Sequence, residues 1–79
     1  MKRYLNLDGQ SGVDAYETGD DYIDVRFRAG TVYTYTSASV GARHLAALKR
    51  LAAQGRGLAT YISSHRDVHD NYASKAPED

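Results

Sequence analysis

The chain has no cysteine, no net charge and no long apolar run. Without cysteine there is no disulfide framework, no thiolate nucleophile and no cysteine-based zinc site. Ten basic residues balance ten acidic ones. That balance argues against bulk electrostatic attachment to nucleic acid or to an anionic membrane and leaves room for a local patch. No stretch approaches the roughly 20 apolar residues that cross a bilayer. The opening Met1-Lys2-Arg3 carries a basic pair but no apolar signal-peptide core follows it. Gly55-Arg56-Gly57 lacks the Gly-Lys-Ser/Thr ending of a Walker loop, and Ser37, Ser39, Ser63 and Ser64 lack a nucleophile-elbow context. These absences describe a soluble, cytoplasmic protein without membrane association, cofactor or bound metal, read as a monomer.

What is present is concentrated between Tyr22 and Tyr35. Ile23, Val25 and Phe27 alternate with Tyr22, Asp24, Arg26 and Arg28, the period of two that marks a half-buried strand. Residues 31–36 are all β-branched or aromatic, which suits a second strand. Two registers connect them. A two-residue loop, Ala29-Gly30, would force Ala29 to positive φ, which a Cβ resists. A three-residue loop, Arg28-Ala29-Gly30, needs only Gly30 there, and the turn chemistry favours it. Thr31, Tyr33 and Tyr35 then share the inner face with Ile23, Val25 and Phe27. A slip of one residue would instead turn both tyrosines outward, where Tyr33 and Tyr35 beside Arg26 and Arg28 would form a stacking platform flanked by cations.

Around this hairpin, residues 3–7 read as a short first strand, 8–12 as turn chemistry and 13–18 as another strand. Ser37 and Ser39 offer helix N-caps. From Val40 the period becomes helical, with His44, Leu45, Leu48, Leu51 and Ala52 on one face and Gly55 closing the helix. Leu58, Tyr61, Ile62 and His65 form a second, shorter stripe, and a further helical turn fits after Asp67. The 79 residues suffice for one small core. The expected fold is α+β: a three- or four-stranded antiparallel meander followed by two or three helices packed on one face of the sheet. The domain spans residues 1–73, and 74–79 read as a flexible C-terminal tail.

The order Ile23-x-Val25-x-Phe27, Gly30, Tyr33-x-Tyr35, a leucine-rich helix, Gly55 and a short helix near Ile62 resembles the KTSC domain. That module stands at the C-terminus of some lysyl-tRNA synthetases and occurs as short stand-alone bacterial and phage proteins. The resemblance covers residues 12–66 and implies the fold just described. RNA binding, suggested for the family, is the function it implies. The chain departs from the pattern after Gly55, where Leu58, Ala59 and Thr60 stand in place of an aromatic residue and an asparagine.

Three groups of residues have chemical potential. His65 and His69, at i and i+4, have the spacing of a two-histidine zinc half-site, with Asp70 or His44 as the third ligand. No Glu is placed as in His-Glu-x-x-His, and a polar helix end explains the run equally simply, so no metal is assigned. Asp20, Asp21 and Asp24 with Tyr22 form an acidic lip, either a solvated turn or a contact for a protein partner. Arg43, Lys49, Arg50 and Arg56 fall in the helical half, whereas most acids before Asp67 fall in the sheet half. This segregation gives a basic helical face, either solvated or engaged with nucleic-acid phosphates. No residue set supplies a nucleophile with a supported base. The sequence thus describes a non-enzymatic binding module that contacts RNA or a nucleoprotein through the basic helical face. The alternative is a phage-type protein-binding inhibitor of host machinery, such as a CRISPR effector or RNA polymerase, acting through Asp20, Asp21, Tyr22 and Asp24.

Overall fold

A computed structural model describes residues 1–7 and 12–77. Most of the turn expected over 8–12, and the last two residues, lie outside them. The strands are β1 (Lys2–Arg3), β2 (Val13–Gly19), β3 (Tyr22–Phe27), β4 (Thr31–Thr36) and β5 (Ser74–Pro77). Helices α1 (Ser37–Val40), α2 (Ala42–Gln54), α3 (Leu58–Ser64) and α4 (Arg66–His69) lie between β4 and β5 in sequence. The sheet is antiparallel throughout, in the order β1-β2-β3-β4-β5. The α+β class holds, with one strand and one helix more than the sequence suggested.

The β3–β4 hairpin takes the three-residue loop. Ile23 lies opposite Tyr35 and Val25 opposite Tyr33. Gly30 takes φ +93°, and its N–H closes the turn on the Phe27 carbonyl at 2.8 Å. The outward tyrosine platform therefore does not form. Tyr35 is only 1 % exposed, and Tyr33 packs half-buried against the same core. Burial pushes the Tyr35 phenol above its usual pKa. Arg26 points to the opposite face and pairs with Asp14, Nη2 to Oδ2 at 2.9 Å.

A bulge at Asp14–Ala15 corrects the facing of β2. Val13 lies opposite Phe27 and Tyr16 opposite Val25, although Tyr16 is an odd three positions after Val13. Strict alternation would send one of them outward, and the extra residue lets both face the helices. Ile23, Val25, Tyr35 and Val13 meet Leu45, Leu48 and Ala52 of α2, Leu58 and Ile62 of α3, and Val68 of α4. Thr36 begins the helical layer. Its hydroxyl accepts the Ser39 N–H at 3.1 Å, while the Ser39 hydroxyl accepts the Thr36 N–H at 2.9 Å, a reciprocal capping box.

Two segments depart from the sequence reading. The first strand ends at Arg3, because Asn6 takes φ +54° and Leu7 donates its N–H to the Gly55 carbonyl at 2.6 Å instead of to a strand. Tyr4 is buried, and its hydroxyl oxygen accepts the Leu58 N–H at 3.3 Å at the start of α3. Leu5 and Leu7 stay 66 % and 56 % exposed. The C-terminal segment is no loose tail over 74–77: it pairs along β4, Ser74 with Thr34 and Ala76 with Val32. Its composition is poor for a strand. The open edge of β4, a row of unpaired N–H and C=O groups, supplies the reason to pair.

Gly55 joins the N-terminal segment to α2. It sits at φ +78°, and a Cβ there would lie 2.6 Å from the Cβ of Leu5. Gly55→Ala is therefore expected to cost about 2–3 kcal/mol, strain and overlap together. The same change should speed hydrogen exchange at the Leu7 amide. A loss in urea unfolding below about 1 kcal/mol, with Leu7 still protected, would contradict this account.

Candidate functional site

Helix α2 presents Ala42, Arg43, Ala46, Arg50, Ala53 and Gln54 to solvent. Arg43 and Arg50, seven residues apart, share this face at a separation of roughly 10 Å along the axis. The residues between them on that face are short, so a ligand can lie close to the helix. Arg56 is exposed in the Gly55-Arg56-Gly57 connection that follows. No carboxylate among the described residues pairs with Arg43, Arg50 or Arg56. From Val25 through Arg66 the chain carries seven basic residues and no acidic one.

Lys49 does not join this face. Its ammonium donates to the carbonyl oxygens of Gly19 and Asp20, at 2.6 and 3.1 Å. It ties α2 to the β2–β3 turn, a structural role in place of the expected phosphate contact. In that turn the Ser37 hydroxyl donates to the Asp21 carboxylate. The Tyr22 hydroxyl approaches Glu17 Oε2 at 3.5 Å, and Thr34 donates to Asp24 Oδ1 at 2.5 Å. Of the proposed acidic lip, only the Asp20 carboxylate has no protein partner among the described residues.

The histidines are arranged differently from the sequence reading. His65 is both the C-cap of α3 and the N-cap of α4, so it shares no helical face with His69. His69 Nδ1 lies 2.9 Å from Asp70 Oδ1. No group of three His, Cys, Asp or Glu side chains among the described residues could hold a metal ion. His44 instead joins three helices. Its Nε2 lies 2.8 Å from Asp67 Oδ2 and its Nδ1 lies 2.6 Å from the Tyr61 hydroxyl. A carboxylate can only accept, so Nε2 carries the proton, and in the neutral ring Nδ1 accepts from the Tyr61 O–H. The His65 ring stacks on Tyr61 at 3.9 Å, and its Nδ1–H donates to the Tyr61 carbonyl at 2.8 Å. Sequence reasoning placed Tyr61 and His65 on an apolar stripe and missed this chain, because His44 and Tyr61 are seventeen residues apart. No local period reports such a contact.

A second feature lies on another side of α3. A groove of about 460 Å³ runs between Phe27 and Tyr33 of the sheet and Ala59, Thr60 and Ile62 of α3, with His69 at one end. An adjoining space of about 270 Å³ is lined by Ser63, Arg66, His69 and Asp70. Ser63 and His69 border both.

No protein-family profile, curated protein or solved structure matches the chain. Among the described residues, no helix is long and apolar enough to cross a membrane.

The His44 hydrogen bond, opposed by some desolvation and helped by the His44 charge, holds the Asp67 carboxyl below its usual 3.8. A depressed folded-state pKa means that the ionised form favours folding. The stabilisation is complete above pH 3.8 and is lost as pH falls through the folded value. The advantage of the wild type over Asp67→Asn in urea midpoint should therefore be constant near neutrality and shrink below pH 3.8. A difference that does not change between pH 5 and pH 2.5 would show that the His44–Asp67 pair does not couple to folding.

Proposed function

We propose that this chain is a small non-enzymatic binding module, KTSC-like as its sequence resemblance implies, that contacts RNA or a nucleoprotein through Arg43, Arg50 and Arg56. The observation that carries this reading is the exposed α2 face with Arg43 and Arg50, followed by exposed Arg56 in the next connection, all three without a carboxylate partner among the described residues, inside a stretch with no acid from Val25 to Arg66. Arginines left unpaired on a surface otherwise built of alanine keep their hydrogen-bonding capacity for a ligand. Phosphate oxygens match the guanidinium fork. The zero net charge of the whole chain is no obstacle, since its acids lie largely before residue 25 and after residue 66. We place the chain in the cytoplasm, a location that its lack of cysteine fits.

The second reading, a protein-binding inhibitor acting through Asp20, Asp21, Tyr22 and Asp24, has one observation in its favour. Glu17 lies directly opposite Asp24 on the outer sheet face, two like charges that a basic partner would relieve. Ser37, Thr34 and Lys49 occupy much of that lip already, which places this reading second.

Binding of a mixed-sequence single-stranded RNA, followed by fluorescence anisotropy against salt, tests the first reading. Three phosphate contacts predict a slope of log K against log salt of about −2. Arg43→Ala with Arg50→Ala should reduce it to about −0.7 and weaken binding at least about tenfold at low salt. Affinity indifferent both to salt and to the double change would end the RNA reading and turn attention to the acidic lip.

A further inference from the structure

We propose that the groove between the sheet and α3 is a ribonucleotide site, with the base against Phe27 and Tyr33, the ribose hydroxyls on Asp70 and the phosphate on Arg66. None of the α2 arginines lines it. The site therefore stands on separate observations from the face proposed above.

The groove's main chamber, about 460 Å³, is in the size range of small-molecule pockets, roughly 300–1,000 Å³. Its sheet-side wall is aromatic. The rings of Phe27 and Tyr33 meet edge-to-face, centroids 5.4 Å apart and planes at 87°, which makes a right-angled corner. A planar heterocycle can stack on one ring and set its edge against the other, the two arrangements aromatic rings favour. The Tyr33 ring has two further neighbours. Tyr72 meets it edge-on at 5.0 Å, and the Lys75 ammonium lies 5.6 Å from its centroid.

The opposite wall carries polar groups suited to a base edge. The Thr60 hydroxyl has no protein partner among the described residues, and the Ser63 hydroxyl donates to the Thr60 carbonyl, which leaves its lone pairs to accept. His69 commits Nδ1 to Asp70 and keeps Nε2 for a ligand.

Where the apolar chamber ends, the adjoining space brings together Arg66 and Asp70. They line one space yet form no ion pair with each other. A carboxylate that only accepts is a partner for the vicinal hydroxyls of a ribose. A guanidinium left unpaired is a partner for phosphate. An aromatic corner, an acceptor and a cation in adjoining spaces supply one partner each for base, sugar and phosphate. Inorganic phosphate alone would have no use for the aromatic corner, and the Asp70 charge would oppose it.

Amide NMR titrations of the full chain with adenosine 5′-monophosphate, its 2′-deoxy analogue, adenosine and inorganic phosphate test this assignment. The monophosphate should shift Phe27, Tyr33, Ile62, Ser63 and His69 together. The deoxy analogue should bind the wild type several-fold more weakly. Asp70→Asn, at a side chain 59 % exposed and so tolerated by the fold, should weaken the ribonucleotide by a similar factor and abolish the ribose preference. Arg66→Ala should lower the affinity for the monophosphate to that for adenosine. Arg43→Ala with Arg50→Ala should leave all these affinities unchanged, which separates this site from the RNA face on α2. No groove shifts at millimolar monophosphate, equal binding of the ribo and deoxy forms by the wild type, or the same shifts from inorganic phosphate alone would overturn the proposal.

Discussion

Everything in this molecule depends on the register of the β3–β4 hairpin. Gly30 accepts the positive φ that Ala29 would resist, and the loop closes on three residues. That choice puts Ile23, Val25 and Tyr35 beneath the helices and sends Asp24 and Arg26 to the other side. Because side chains alternate with a period of two, a slip of one residue would invert the whole surface. The bulge at Asp14–Ala15 brings β2 into agreement with the same face. The capping box at Thr36 then starts the helical layer directly from the end of β4.

From this geometry follows the separation of charge. Once the sheet presents one face to the helices, its other face must carry the polar half of each strand. In this chain that half is largely acidic or hydroxylic: Asp14, Glu17, Asp24, Thr34. The helical half brings Arg43, Lys49, Arg50, Arg56 and Arg66 and no acid before Asp67. Lys49 crosses between the two domains of charge and is taken up by the Gly19 and Asp20 carbonyls. Arg43 and Arg50 remain on the far side of α2, where no acid reaches them. Surface ion pairs contribute little to stability. Leaving these arginines unpaired therefore costs the fold little and keeps them available.

Much of the fold was legible because it rests on local chemistry. The alternation over Tyr22–Phe27, the demand of Gly30 for positive φ and the leucine spacing of α2 each follow from neighbours a few residues away. What was hidden depends on contacts between distant segments. Ser74–Pro77 has no strand character of its own and pairs because β4 offers an edge. Residues 5–7 leave the sheet because Gly55 offers Leu7 a carbonyl and Leu5 a position without a Cβ. Of the candidate sites, the α2 arginines were visible as exposed positions on a helical wheel. The role of Lys49 was not, since its partners are backbone oxygens thirty residues away. The His44–Tyr61–Asp67 chain was hidden for the same reason.

The C-terminal segment illustrates how strand pairing and surface chemistry are connected. By adding a strand to β4, it sets Tyr72 and Lys75 around Tyr33 and fixes a ring that would otherwise lie at a sheet edge. Tyr33 thus has Phe27 and Tyr72 as edge-on neighbours and Tyr35 stacked beyond, at 6.5 Å. A ring held on several sides keeps one orientation, and this ring lines the groove. A wall fixed before a ligand arrives loses little further freedom on binding, so the contact energy goes into affinity and not into ordering the site. The inward register that removed the exposed tyrosine platform therefore did not remove the aromatic chemistry of β4. It moved that chemistry to the seam between sheet and helices, where α3 and α4 supply the hydroxyls, the carboxylate and the guanidinium that a bare platform would lack.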